Sequence, residues 1–182
     1  MGKWRNGKQE EDRERMVRMK VIVFLADGFE EVEALTTVDY LRRMDIGVDT
    51  VSVAGGKEVT GAHHISVLAD QTIDEIDGMD SCDGAVIPGG MPGAANLRDN
   101  PKVIDIVKKA YASQKLVAAI CAGPIVLKKA GILDGKKITS YPGFEEQLSG
   151  GIYQEQSVVR DGNLITARGP ALAVDFAVEI VT

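Results

Sequence analysis

Between Leu116 and Gly131 the chain reads LVAAICAGPIVLKKAG. Leu116 to Ile120 has no polar alternation, the pattern of a strand buried on both faces. Cys121 follows with no linker. Ala122-Gly123-Pro124 then opens a helix that carries Ile125, Val126 and Leu127 and stops at Gly131. Pro124 suits a first helical turn, where its missing N–H costs nothing, and Gly131 suits a left-handed stop. A strand that runs directly into a helix constrains the fold to an α/β type. It also sets a thiol on a sharp turn beside the unpaired amides of a helix start. That setting predicts a thiolate, reachable past the small neighbours Ala122 and Gly123. The competing reading is an inert core cysteine.

The same grammar repeats along the chain. Lys20–Ala26 (KVIVFLA) predicts a second doubly buried strand, and Glu30–Asp45 a helix with Val32, Leu35, Val38, Leu41 and Met44 at helical spacing. Val48–Val53 predicts a third strand, closing a β-α-β unit. Lys57–Ala69 reads as a small hairpin containing His63 and His64. Ala85–Pro88 reads as a short strand ahead of a glycine-rich loop, Gly89–Asn96, and Asn100 caps a helix beginning at Pro101. After Gly131 the pattern predicts a strand at Lys137–Ser140 and a short helix at Phe144–Leu148. Ser157–Arg160 and Asn163–Arg168 read as a hairpin, and a last helix runs from Ala171. Alternating strands and helices imply an α/β sandwich with a mostly parallel sheet, whose functional crevice lies beyond the carboxyl ends of the strands.

Length and charge narrow the function. The 182 residues suit one domain, placed at residues 20–182. Residues 1–19, dominated by Lys, Arg, Glu and Asp, read as a disordered extension rather than a signal peptide, with Met16 and Met19 as alternative starts. A net charge of -6 argues against nucleic acid or an anionic membrane as partner. No uncharged apolar run approaches the roughly 20 residues that cross a bilayer. Two cysteines, Cys82 and Cys121, make no disulfide framework, so a reducing cytoplasm is expected. Cys82 sits between Asp80 and Asp83, acids expected to raise its pKa and leave it unreactive.

Four motifs, ADGFEEVEA (26–34), PGGMPGAANL (88–97), AAICAGP (118–124) and ARGP (167–170), together resemble the DJ/PfpI superfamily, and within it the ThiJ branch. The resemblance spans about residues 20 to 181. It implies a flavodoxin-like three-layer sandwich, a homodimer, a nucleophile-elbow cysteine and no cofactor. By position it assigns Cys121 as the reactive cysteine and Glu33 as the carboxyl that hydrogen-bonds its sulfur. It assigns Gly89, Gly90 and Ala122 as backbone amides facing a substrate oxygen. It also places Arg43 near the dimer interface, where a snorkelling surface base is an equal reading. Each role is chemically sensible. A carboxyl held away from water beside a thiolate stays protonated and can move a proton, and glycine amides approach an oxyanion without obstruction. Taken alone, Glu33 also reads as a first-turn acid favoured by the helix dipole, and Glu30 and Glu31 compete for its role.

The histidines depart from the family. Only His63 and His64 exist, both before Cys121; Ala122 stands where the peptidase-like branch has a histidine, and Tyr141 near where the human-type branch has one. Peptidase chemistry would need His63 or His64. Adjacent hairpin histidines are more often exposed than catalytic, and in the sequence they lack company for a metal. Tyr141, His63 and Arg43 stand as candidate substrate contacts. The expected activity is a metal-free glyoxalase or deglycase acting on a small aldehyde, with a redox sensor built on Cys121 as the alternative.

Overall fold

The computed structural model describes residues 19–182; the expected extension therefore lies, except for Met19, outside the described residues. Strand β1 (Lys20–Leu25) leads into helix α1 (Glu31–Arg43), β2 (Gly47–Ser52), the hairpin β3 (Glu58–Thr60) and β4 (Ser66–Leu68), and β5 (Gln71–Thr72). Next come β6 (Gly84–Ile87), α2 (Gly93–Asp99), α3 (Pro101–Ala112), β7 (Leu116–Ile120), α4 (Pro124–Lys129) and β8 (Lys137–Ile138). A 3-10 turn at Glu145–Leu148 precedes β9 (Ile152–Tyr153), β10 (Val158–Asp161) and β11 (Leu164–Ala167). A second 3-10 turn at Pro170–Leu172 opens into α5 (Ala173–Val181).

Seven strands form one sheet in the order β10-β11-β7-β6-β1-β2-β5. Every pairing in it is parallel except β10 against β11. Because side chains alternate along a strand, β1 feeds two separate cores. Val21, Val23 and Leu25 join Val38, Leu41, Phe176 and Ile180 under α1 and α5. Ile22, Phe24 and Ala26 join Leu97, Val107, Val126 and Leu127 under α2, α3 and α4. The result is the mostly parallel α/β sandwich the patterning implied, flavodoxin-like as the family resemblance implied, with both sheet faces covered.

Several local expectations are corrected. The glycine-rich loop is shorter than expected, since α2 begins inside it at Gly93. A Cβ on Gly93 would stand 2.5 Å from Phe29 N and 2.7 Å from Gly28 O, so glycine there lets α2 close onto the turn after β1. Only Lys137–Ile138 of the expected 137–140 strand is extended, paired with β9 off the main sheet. The last helix starts at Ala173, not Ala171, behind the 3-10 turn. Asn100 does cap α3, its Oδ1 accepting from Lys102 N at 3.0 Å.

The largest correction concerns α1. Its hydrophobic periodicity pointed inward through Val32 and Leu35, yet these are 51% and 37% exposed. The buried face carries Ala34, Val38 and Leu41 together with Glu31, Glu33 and Thr37. Spacing counts only apolar residues, so it could not register a face that buries carboxyls for a reason other than hydrophobicity.

Candidate functional site

Three segments meet at the carboxyl ends of β1, β6 and β7. The ladder past β7 persists for one residue, with Cys121 N donating to Ala167 O at 2.9 Å. The chain then reverses: Cys121 has φ +63, and Gly123 N donates to Ile120 O at 2.8 Å. A left-handed conformation costs a non-glycine residue about 1–2 kcal/mol, and the backbone hydrogen bonds to Ala167, Ile120 and Tyr141 hold it. A Cβ on Gly123 would stand 2.6 Å from Ile87 O, so only glycine lets the turn sit this tightly against β6. The sulfur is thereby presented at the end of the sheet, partly exposed, with the amides of Ala122 and Gly90 directed at it.

Glu33 comes from the first turn of α1 and is fully buried. Its Oε2 accepts from Gly89 N at 2.8 Å. Its Oε1 is buried without a hydrogen-bond partner, with the Cys121 thiol adjacent. The three acids of the first turn have separate tasks. Glu30 caps the helix, Oε2 accepting from Glu33 N at 2.7 Å. Glu31 turns to the β3–β4 hairpin, where its two oxygens meet His63 N and Nδ1, each at 2.7 Å. Glu33 alone reaches the cysteine, which settles a choice that helical spacing left open.

The electrostatics reverse one expectation. Burial pushes the Glu33 carboxyl up from 4.5 to about 7, against the adjacent Cys121 thiol and the Gly89 amide, which pull it down. Burial also pushes the Cys121 thiol up to about 12, and the neighbouring Glu33 charge adds to the rise; the Ala122 and Gly90 amides only moderate it. The helix start was expected to favour a thiolate. However, α4 has only six residues, and desolvation beside a carboxylate outweighs its dipole. The two groups behave as one acid, losing a first proton near neutrality and holding the second far beyond it. Cys82 is also held as a thiol, but burial is the main cause and Asp49 a lesser one, rather than its sequence neighbours Asp80 and Asp83.

The other candidates fall in different places. Gly89 does not offer its amide to an incoming oxygen, because that N–H is spent on Glu33; the amides facing the sulfur are those of Gly90 and Ala122. Tyr141 belongs to the neighbourhood. Its N donates to Cys121 O at 3.0 Å, and its half-exposed ring stacks over Gly169. His63 lies one step outward on the hairpin. Arg43 is exposed, paired with Asp39 at 2.7 Å, and ten residues along α1 from Glu33. At 1.5 Å per residue that separation is about 15 Å, so within one chain Arg43 does not reach the sulfur. Gly28 and Phe29, within the ADGFEEVEA motif, seat the α1 start against the Gly90–Gly93 loop. A Cβ on Gly28, at φ +84, would stand 2.5 Å from Pro92 Cδ.

Residues 19–182 match the DJ-1/PfpI family. The Parkinson disease protein 7 homolog of Danio rerio is 36% identical over 169 residues, which cover 91% of this chain and 89% of that protein. Protein dj-1beta of Drosophila melanogaster is 38% identical over 161 residues, 87% of this chain and 86% of that one. Among solved structures, Toxoplasma gondii DJ-1, oxidized, superposes with a TM-score of 0.85 at 36% identity, covering 90% of this chain and 89% of that one. A cysteine-to-alanine mutant of a DJ-1 superfamily protein from Salmonella typhimurium gives 0.85 at 38% identity, covering 90% and 88%.

The raised pKa of Glu33 has a measurable consequence. A carboxyl whose folded pKa lies above its unfolded value stabilises the fold below the unfolded pKa, and that contribution is lost as pH rises through the folded one. Glu33→Gln removes the ionisation. Urea unfolding should therefore show the variant gaining on the wild type between pH 4.5 and somewhat above 7, by at most about 3 kcal/mol. A stability difference that does not vary with pH would rule out a buried acid at this position.

Proposed function

The chain belongs to the DJ-1/PfpI family, and from that membership and the site's geometry we propose that it is a cysteine-dependent glyoxalase or deglycase. It acts on small 2-oxoaldehydes or their adducts and requires no cofactor. The observation that carries this reading is the buried, unpartnered Oε1 of Glu33 beside the Cys121 thiol. An orphaned polar atom in a buried position is costly unless something arrives to use it.

The chemistry follows from the shared charge. Once the pair has lost its first proton, the Glu33 carboxylate takes the thiol proton as sulfur adds to the aldehyde carbon. The C–S bond forms and the carbonyl electrons move to oxygen, where the Gly90 and Ala122 amides receive them. Glu33 returns its proton to that oxygen, giving a hemithioacetal. The carboxylate next removes the hydrogen on the former aldehyde carbon as a proton, leaving an enediolate, and delivers it to the adjacent carbon; the hemithioacetal hydroxyl proton passes to the oxygen on that carbon as its own C–O bond becomes the thioester carbonyl. The product is a 2-hydroxy thioester. Water cleaves it, releasing a 2-hydroxy acid and regenerating the thiol. A thiol pKa of about 12 is no obstacle, since the base is adjacent and ionises first.

A redox-sensing or stress-protective role is a second reading, favoured by the partly exposed sulfur and by a relative studied in an oxidized form. The same amides and carboxyl would hold oxygen on sulfur. A cysteine peptidase is disfavoured, because the Nδ1 of His63 is engaged by Glu31 rather than by Cys121. We also assign a cytoplasmic homodimer. Cys82 and Cys121 are free thiols, and among the described residues no helix is long and apolar enough to cross a membrane. The packed helices α1 and α5 leave Val32, Leu35, Val174 and Val178 in solvent, an apolar patch suited to a second copy.

With methylglyoxal as substrate, Cys121→Ser should abolish turnover and Glu33→Gln should lower kcat by about 10²–10⁴-fold. Equal rates in wild type and both variants would refute the enzymatic reading. Under mild peroxide, mass spectrometry should find oxygen on Cys121 before Cys82; the reverse order removes the redox alternative. Light scattering should give a dimer for the wild type and a monomer for Val32→Arg, whose side chain is already half exposed; a monomeric wild type would exclude the assembly.

A further inference from the structure

We propose that Glu30, Glu31 and His63 form a binding site for a divalent transition-metal ion of the zinc class, beside the Cys121 pocket and separate from it. One ligand atom from each residue lies within 4.8 Å of the other two. His63 Nδ1 is 2.7 Å from Glu31 Oε2 and 3.9 Å from Glu30 Oε1. An ion about 2.0–2.1 Å from each donor needs donors roughly 3.3 Å apart. The His63–Glu31 contact would open, the His63–Glu30 contact would close, and the two carboxylate oxygens, which lie within 4.8 Å, would settle to the same spacing.

The outward oxygens are already aimed, because the opposite oxygen of each carboxylate is tied to the backbone. Glu30 Oε2 accepts from Glu33 N and Glu31 Oε1 from His63 N, both at 2.7 Å. Such outer contacts orient metal ligands. The hairpin carrying His63 is itself fastened to the α1 start, with Gly28 N donating to Thr60 O and Ala62 N to Phe29 O, each at 2.8 Å. A Cβ on Gly61 would overlap the Glu31 carboxyl, so the hairpin backbone lies directly on it.

Charge supplies an independent reason. Glu31 is only 4% exposed. A buried carboxylate is ordinarily matched by a permanent cation. Among the described residues no lysine or arginine forms an ion pair with Glu30 or Glu31; the only partner is the His63 imidazole. A divalent ion would set a permanent charge where a titratable imidazole now stands. It would replace the Nδ1 proton, which moves to Nε2 in the neutral ring. Two carboxylate oxygens and one imidazole suit Zn²⁺, Co²⁺ or Ni²⁺ better than the all-oxygen preference of Ca²⁺ or Mg²⁺ or the thiolate preference of Cu⁺. The His63 side chain is 69% exposed, which leaves the fourth position to water.

The site is separable from the cysteine because Glu33 faces the opposite way, toward Gly89 and Cys121. Zinc titration by calorimetry on the full chain, with His63→Ala, Glu30→Gln, His64→Ala and Cys121→Ser variants, tests it. One ion should bind per chain, unchanged in His64→Ala and Cys121→Ser. Affinity should fall at least about tenfold in both His63→Ala and Glu30→Gln, with circular dichroism confirming that both remain folded. Cobalt(II) bound to the wild type should show no thiolate-to-metal charge-transfer band. Undiminished binding in either variant, dependence on Cys121, a sulfur–cobalt band, or no stoichiometric binding would each overturn the assignment.

Discussion

A carboxyl group and a thiol share one negative charge in a place nearly free of water, and the rest of the structure is arranged around that. Moving an ionised carboxylate out of water costs several kcal/mol unless hydrogen bonds and counter-charges compensate. Glu33 receives one amide hydrogen bond, from Gly89, and among the described residues it has no counter-cation. Its proton affinity rises until the acid is poised near neutral pH. The sulfur cannot ionise independently, because a carboxylate already occupies the charge the site tolerates. Acid and nucleophile are therefore one coupled unit.

Holding that unit together takes both halves of the sandwich. The sheet anchors the cysteine, with β11 pairing through Cys121 N and the segment after β8 closing on Cys121 O. Helix α1 anchors the carboxyl, and its start is clasped from two sides. Gly89 O accepts from Glu30 N on one side, while the β3–β4 hairpin meets Glu31 through His63 on the other. Glu30 and Glu31 are thus supports for Glu33, and the same supports bring the ligand atoms of the proposed metal site together. Close backbone approach is needed where these pieces meet. A Cβ on Gly90 would collide with Glu30 N, and one on Gly89 would stand 2.6 Å from both Cys121 Cβ and Glu33 Oε2.

Much of this scaffold is legible in the residues. Doubly buried β1 and β7, the Asn100-Pro101 start of α3 and the β10–β11 hairpin follow from local patterns that the tertiary structure has no reason to oppose. The site is less legible, and α1 shows why. Its apolar spacing pointed to Val32 and Leu35 as core, whereas the helix is rotated to bury Glu31, Glu33 and Thr37. That rotation depends on Gly89, Cys121 and His63, residues 30 to 90 positions away, and no local periodicity encodes them. The family resemblance makes Gly89 an oxyanion donor, and only the folded chain shows its amide engaged by Glu33, an acceptor distant in sequence.

Local residue patterns carry the order of strands and helices, the sharp turn at Cys121 and the kinds of reactive group available, because these depend on neighbours within a few residues. Tertiary structure alone decided which of three consecutive-looking acids meets the sulfur, which amides remain free to face it, and that the thiol is driven toward its protonated form rather than ionised. Those outcomes rest on desolvation and on the direction of side chains in space, quantities that come into existence only when segments distant in the chain are packed together.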